Sequence, residues 1–62
     1  GKSVVALVDI KKGQVINAQM LSGIIFKNQY IPVRESGNVI NRVANQDIRA
    51  REPITYDMLK DV

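Results

Sequence analysis

The sequence predicts a mostly β domain with short one-turn helices and an internal pseudo-two-fold repeat. Three observations carry that prediction. A phrase near the start, Val4 to Leu21, returns near the end as Arg42 to Leu59. Each copy opens on a short run containing β-branched residues, which favour extended backbone. Each run is followed by a polar turn and then by four residues suited to a single helical turn.

The repeat is visible at a shift of 38 positions. Val5 meets Val43, Ala6 meets Ala44, Asp9-Ile10 meets Asp47-Ile48, Ile16 meets Ile54, and Met20-Leu21 meets Met58-Leu59. Those are seven identities over positions 5–21 without a gap. Residue-usage frequencies give roughly one by chance. A solenoid needs at least three stacked repeats. Two copies in 62 residues point instead to one domain, 1–62, with half-repeats 4–21 and 42–59 and a connector 22–41. Each half is expected to complete the other's core.

The elements follow in order. Val4-Val5-Ala6-Leu7-Val8 reads as a buried strand. Asp9 and Ile10 lead into the turn Lys11-Lys12-Gly13-Gln14, where Gly13 is free to take a positive φ. Ile16 closes an apolar pair. Asn17 is the expected N-cap of a helical turn through Ala18, Gln19, Met20 and Leu21, with the last two facing the core. In the connector, Ile24-Ile25-Phe26 reads as a strand and Lys27 to Tyr30 as an exposed turn. Tyr30 to Val33 resumes an extended path, because proline disfavours helix at the residue before it. Arg34 to Gly37 reads as a further turn, and Val39-Ile40 returns to the core.

The second copy repeats this logic. Arg42 to Asn45 is extended, and Asp47-Ile48 precedes the turn Arg49-Ala50-Arg51-Glu52. Arg51 stands where Gly13 stood. A side chain makes positive φ less comfortable, so the second turn is expected to differ in shape. Pro53 fits a strand start or a turn. Thr55 is the expected cap of Tyr56-Asp57-Met58-Leu59, with Asp57 in the first turn, where negative charge is favoured.

Composition limits the chemistry. There is no cysteine and no histidine, which removes disulfides, thiolate metal sites and the usual base near neutral pH. No metal and no cofactor are expected. Ser3, Ser22 and Ser36 have no histidine to activate them. Asp9 and Asp47, as repeat equivalents, could form an acid–base pair; acceptance of backbone hydrogen bonds beside a turn is the better reading. No glycine-rich phosphate loop is present. The domain alone is therefore not expected to be an enzyme.

The formal net charge is +3. The nine Lys and Arg residues are interleaved with six carboxylates along the whole chain, and Phe26, Tyr30 and Tyr56 are the only aromatics. Nucleic-acid modules gather cations on one element and add stacking aromatics, so nucleic acid is not an expected partner. No segment approaches the ~20 apolar residues that span a bilayer, and no signal peptide is visible.

The doubled phrase, with its Asp-Ile, short turn, apolar pair, cap and Met-Leu, resembles the SAF family over essentially the whole chain. That family includes the antifreeze-like C-terminal domain of sialic acid synthases, type III antifreeze proteins, pilus-assembly SAF modules and flagellar P-ring assembly chaperones. The resemblance implies a β-clip fold. Its branches imply different functions. In the antifreeze branch the ice-binding face would fall on Gln14, Val15, Asn17, Ala18, Gln19 and Met20, but Asp9, Lys11 and Lys12 put strongly hydrated charge beside it. In the synthase branch an Arg-Pro-Gly stretch helps hold the amino-sugar substrate in a neighbouring subunit. Phe26 to Tyr30 stands there instead, with Lys27 or Arg34 as distant substitutes.

In the pilus-assembly branch a few polar residues precede an aromatic and an Ile-Pro pair, as in Lys27-Asn28-Gln29-Tyr30-Ile31-Pro32. Asn41 and Arg51 depart from glycines common in that branch. The resemblance thus implies a non-catalytic binding or assembly module of a larger bacterial envelope or pilus-assembly protein. Its binding residues would be Lys27, Asn28, Gln29, Tyr30 and Arg34, with Tyr30 as anchor or as core filler. Its partners would be other domains of the parent protein or envelope components, carbohydrate among them. The location is extracytoplasmic on the pilus or antifreeze reading and cytoplasmic on the synthase reading.

Overall fold

The computed structural model describes residues 1–61, within principal extents of 29 × 21 × 19 Å. Two strands are long enough to name: β1 (Ser3–Ala6) and β2 (Leu21–Ile24). They pair antiparallel, with Ser3 opposite Ile24, Val4 opposite Gly23, Val5 opposite Ser22 and Ala6 opposite Leu21. The remaining extended chain joins through single bridges, among them Val5 to Pro53, Ile10 to Ile48, Val15 to Val43 and Ala44 to Leu59. Three 3₁₀ turns complete the fold: η1 (Ala18–Met20), η2 (Val33–Asn38) and η3 (Tyr56–Met58). The fold is mostly β with short helices.

The halves are joined by hydrogen bonds exchanged across a pseudo-two-fold axis. At its centre Ile10 and Ile48 each donate an N–H to the other's carbonyl, both at 2.7 Å. Further out, Gly13 N–H donates to the Ala44 carbonyl and Arg51 N–H to the Ala6 carbonyl. Ile16 N–H reaches the Arg42 carbonyl, and Ile54 N–H the Val4 carbonyl. Every bond has its counterpart 38 residues away.

The core repeats in the same pairs. Ile10 and Ile48, Ile16 and Ile54, and Ala6 and Ala44 are all buried, joined by Val4, Ile31, Val39 and Leu59. Met20, Leu21 and Met58 pack against this cluster while partly exposed. A chain this short buries only ~60% of its unfolded surface, so interleaving two half-cores lets one cluster serve both halves.

The aspartates serve the same exchange. Asp9 Oδ1 accepts from Ala50 N–H, and Asp47 Oδ1 accepts from Lys12 N–H, both at 2.8 Å. Each carboxylate thus supports its counterpart's turn rather than its own. Within each turn an amide or carboxylate closes the loop: Gln14 Oε1 accepts from Lys11 N–H and Glu52 Oε1 from Arg49 N–H.

Several expectations need correction. The first strand ends at Ala6, and Leu7 and Val8 leave it for solvent at 55% and 46% exposure. Here Leu7 N–H donates to the Met20 carbonyl while the chain bends towards the Ile10–Ile48 pair. The connector strand is Leu21–Ile24, not Ile24-Ile25-Phe26, because pairing to β1 fixes its limits; Ile25 lies beyond the end of β1 and is exposed.

Asn17 and Thr55 occupy cap positions with extended backbone, yet neither side chain caps its turn. Each three-residue turn needs little capping, and the Thr55 hydroxyl donates to the Asp57 carboxylate instead. Val33 to Gly37 is neither extended nor a simple turn. It forms η2, started by Pro32, whose carbonyl accepts from Glu35 N–H. Finally, the second turn does not differ in shape. Arg51 takes φ 72° beside Gly13 at φ 90° and makes the equivalent hydrogen bond. Asn41 is likewise left-handed, at φ 71°.

Two stability outcomes follow from this geometry. Arg51→Gly should stabilise the fold by about 0.5–1 kcal/mol, the left-handed strain of a side chain less the added freedom of the unfolded chain. Gly13→Ala, at a position with open space around it, should cost about 1 kcal/mol from backbone strain alone. Asp9→Ala and Asp47→Ala should each cost about 1–2 kcal/mol by leaving a turn N–H without its carboxylate. Asp→Asn at either position, which keeps an acceptor, should cost less. Urea midpoints for all six variants check these values.

Candidate binding surface

The connector leaves β2 at Ile24 and returns to the core at Ile31, and the chain between them is presented to solvent. Ile25 is 69% exposed, Phe26 is half-buried, and Lys27, Asn28, Gln29 and Tyr30 are exposed. The bend at Lys27-Asn28 carries no apolar residue, so nothing draws it inward.

The far end of the loop is pinned through its backbone. Tyr30 N–H donates to Ser3 Oγ at 3.0 Å, and Ser3 is fully buried in β1. One residue on, the Ile31 carbonyl accepts from Val4 N–H, and Val33 N–H donates to the Lys2 carbonyl. The tyrosine ring is therefore held by fixed main chain. It meets Phe26 edge-on, with ring centres 5.3 Å apart and planes at 83°. Such a pair contributes ~0.5–1.5 kcal/mol beyond area burial. Tyr30 is 43% exposed, so it packs against a neighbour and still offers a face outward.

The structure brings Lys27, Asn28, Gln29 and Tyr30 together on one exposed loop. Arg34 is exposed but stands on η2, separated from them along the chain by buried Ile31 and by Pro32. The residues matching the antifreeze face are spread differently. Gln14, Val15, Asn17, Ala18 and Gln19 are exposed, and Met20 is half-buried against the core. Gln14 uses its side-chain carbonyl within the turn. Lys11 and Lys12 are exposed on that same turn.

Sequence reasoning missed a cleft of about 240 Å³ beside β2. Its lining includes Val4, Leu21, Gly23, Val33 and Ile40, with Ser22 and Ser36 among them. Gly23 has a steric reason to be glycine: a Cβ there would lie 2.9 Å from Val33 Cγ2. A second cleft, of about 220 Å³, includes Val5, Leu7, Ser22, Ile24 and Arg51. Comparing the halves position by position would have drawn attention here. Val4 and Leu7 in the first half correspond to Arg42 and Asn45 in the second.

Those two polar residues act as staples. Arg42 donates through Nε and Nη2 to the Lys60 carbonyl, and Asn45 Nδ2 donates to the carbonyls of Asp57 and Leu59. Tyr56, which replaces Ala18 in the repeat, donates its hydroxyl to Glu35 and accepts from Asn38, tying η3 to η2. Among the described residues no group of three or more His, Cys, Asp or Glu side chains is placed to hold a metal ion. No helix of the described chain is long and apolar enough to cross a membrane.

Comparison with known proteins agrees with this architecture. No curated protein matches the chain. Among solved structures, it is similar to an antifreeze-protein-like domain in the human N-acetylneuraminic acid phosphate synthase gene. The likeness has a TM-score of 0.88 at 20% identity and covers 97% of this chain and 76% of that one. At that identity the likeness establishes the fold, which is antifreeze-like. The SAF domain family model matches residues 1–60, nearly the whole sequence, and the chain belongs to the SAF domain family.

Proposed function

We propose that this chain is a non-catalytic binding or assembly module of a larger bacterial envelope protein, most like the pilus-assembly SAF modules. SAF membership and the antifreeze-like fold support a small binding or assembly module. The finer reading is supported above all by the pinned loop. Lys27, Asn28 and Gln29 offer a cation and two amides, and Tyr30 offers an aromatic face held in place by Ser3 and Phe26. Exposed amides satisfy hydroxyl or peptide groups, while a preorganised aromatic gives contact area at little entropic cost. Envelope carbohydrate or a protein component of the assembly would both use such a surface. Arg34 on η2 would contribute long-range charge rather than a shared contact.

The synthase reading has less support, because no arginine lies on the loop where that branch carries its substrate-binding Arg-Pro-Gly. The antifreeze reading is opposed by the lysine pair on the turn beside the matching face. Purified chain at millimolar concentration is expected to show no thermal hysteresis and no ice shaping. Facetted ice crystals would reverse that conclusion.

Titration of the chain with isolated envelope polysaccharide and with pilus subunits, by calorimetry, tests the loop. Tyr30→Ala should weaken the productive titration about tenfold or more, as expected for a central aromatic anchor. Gln14→Ala, outside the loop, should leave it unchanged. Undiminished binding by Tyr30→Ala would remove the loop from the contact surface.

A further inference from the structure

The outer edge of β2 is an open pairing edge, and its chemistry specifies what would fill it. Pairing with β1 alternates along the strand. Leu7 N–H bonds the Met20 carbonyl in the same register, so the hydrogen-bonded partners of β1 are Ser22 and Ile24. Val4, opposite Gly23, confirms the alternation, because its N–H goes to Ile31 and its carbonyl accepts from Ile54. Leu21, Gly23 and Ile25 therefore turn their backbone groups away from β1. Leu21 N–H is used by the Ala18 carbonyl. Among the described residues, no backbone partner serves the Gly23 N–H, the Ile25 N–H or the carbonyls of Leu21 and Gly23.

The second half covers the counterpart of one of these carbonyls. Leu59, the counterpart of Leu21, has its carbonyl covered by Asn45 Nδ2. The first half has Leu7 in place of Asn45, and its side chain cannot donate. Proteins block exposed strand edges where pairing is unwanted. Here one outward carbonyl is covered in the second half and its counterpart is bare in the first.

The two clefts lie on opposite faces of this edge strand. Gly23, without a side chain, opens onto the first cleft, where Val4, Leu21, Val33 and Ile40 give a largely apolar lining beside Ser22 and Ser36. Ser22 and Ile24 face the second, which contains the Arg51 side chain. Paired residues of neighbouring strands point to the same face. A partner residue opposite Gly23 would thus enter the apolar cleft, and its neighbours in sequence would face Arg51. Lys2, whose stem lies against Gly23, adds positive charge beside the strand.

We propose that the outer edge of β2, at Gly23 and Ile25, accepts an extended segment of a partner protein by strand addition. That segment would carry apolar residues alternating with acidic ones. A second copy of this chain is a poorer occupant, because it would bring Lys2 and Arg51 against their own equivalents. The site is separate from the Lys27–Tyr30 loop and does not depend on its ligand.

A fluorescein-labelled octapeptide of alternating valine and glutamate is the probe, with a valine–lysine octapeptide as its control. Binding is followed by anisotropy and by the amide signals of the ¹⁵N-labelled chain. The valine–glutamate peptide should bind about tenfold tighter than its control, and the largest shifts should fall on the Gly23 and Ile25 amides. Ile25→Pro removes one outward donor at an exposed position and should weaken binding about fivefold. Ile25→Ala, which keeps the donor, should weaken it less, and Tyr30→Ala should leave it unchanged. Retention of the native amide spectrum by Ile25→Pro separates lost binding from lost folding. Should proline unfold the chain, the synthetic chain with N-methylglycine at position 23 makes the same measurement. No binding, equal binding of both peptides, shifts away from β2, or dimers of the free chain joined through Gly23 would each overturn the proposal.

Discussion

The reciprocal pair of hydrogen bonds between Ile10 and Ile48 is the constraint on which the rest of the fold depends. It sets the two halves antiparallel at their closest approach and buries both isoleucines at once. With that register fixed, Gly13 and Arg51 fall opposite Ala44 and Ala6, and Asp9 and Asp47 fall within reach of the opposite turns. The side chains exchanged between halves are short, and they accept from backbone N–H groups. A slip of one residue would move every isoleucine of the shared core to the wrong face.

That constraint explains which parts of the fold were legible in the sequence. The identities at a shift of 38 mark positions where both halves need the same chemistry: the buried alanine, the two isoleucines, the aspartate and the Met-Leu pair. Reading them gave the repeat, the two turns and most of the core. It did not show that each aspartate serves the other turn, because a local motif contains no information about a partner 35 or 41 residues away. The strand limits were missed for a related reason. Ile24-Ile25-Phe26 has the propensity of a strand, but the length of β1 decides where pairing stops, and Ile25 falls past its end. Arg51 was misjudged because propensity opposes positive φ while the hydrogen bond to Ala6 requires it.

The candidate sites were legible only where they differ from the repeat. The connector loop has no counterpart in either half, and it emerged as an exposed surface with a fixed aromatic. The open edge of β2 was harder to see. Its signature is the loss of symmetry at Leu7, which reads as an ordinary apolar strand position until the donor at Asn45 is seen bonding to the Leu59 carbonyl. Symmetric positions thus build the domain, and asymmetric ones make its two faces different.

The hydrogen bond from Tyr30 N–H to Ser3 Oγ belongs to the main chain of the loop and not to any of its side chains. Substitutions from Lys27 to Gln29 leave that attachment intact, and any residue but proline at position 30 can make it. The exposed side chains of the loop can therefore be exchanged without renegotiating the core beneath it. A segment anchored through its backbone can change its chemistry with little change of its path.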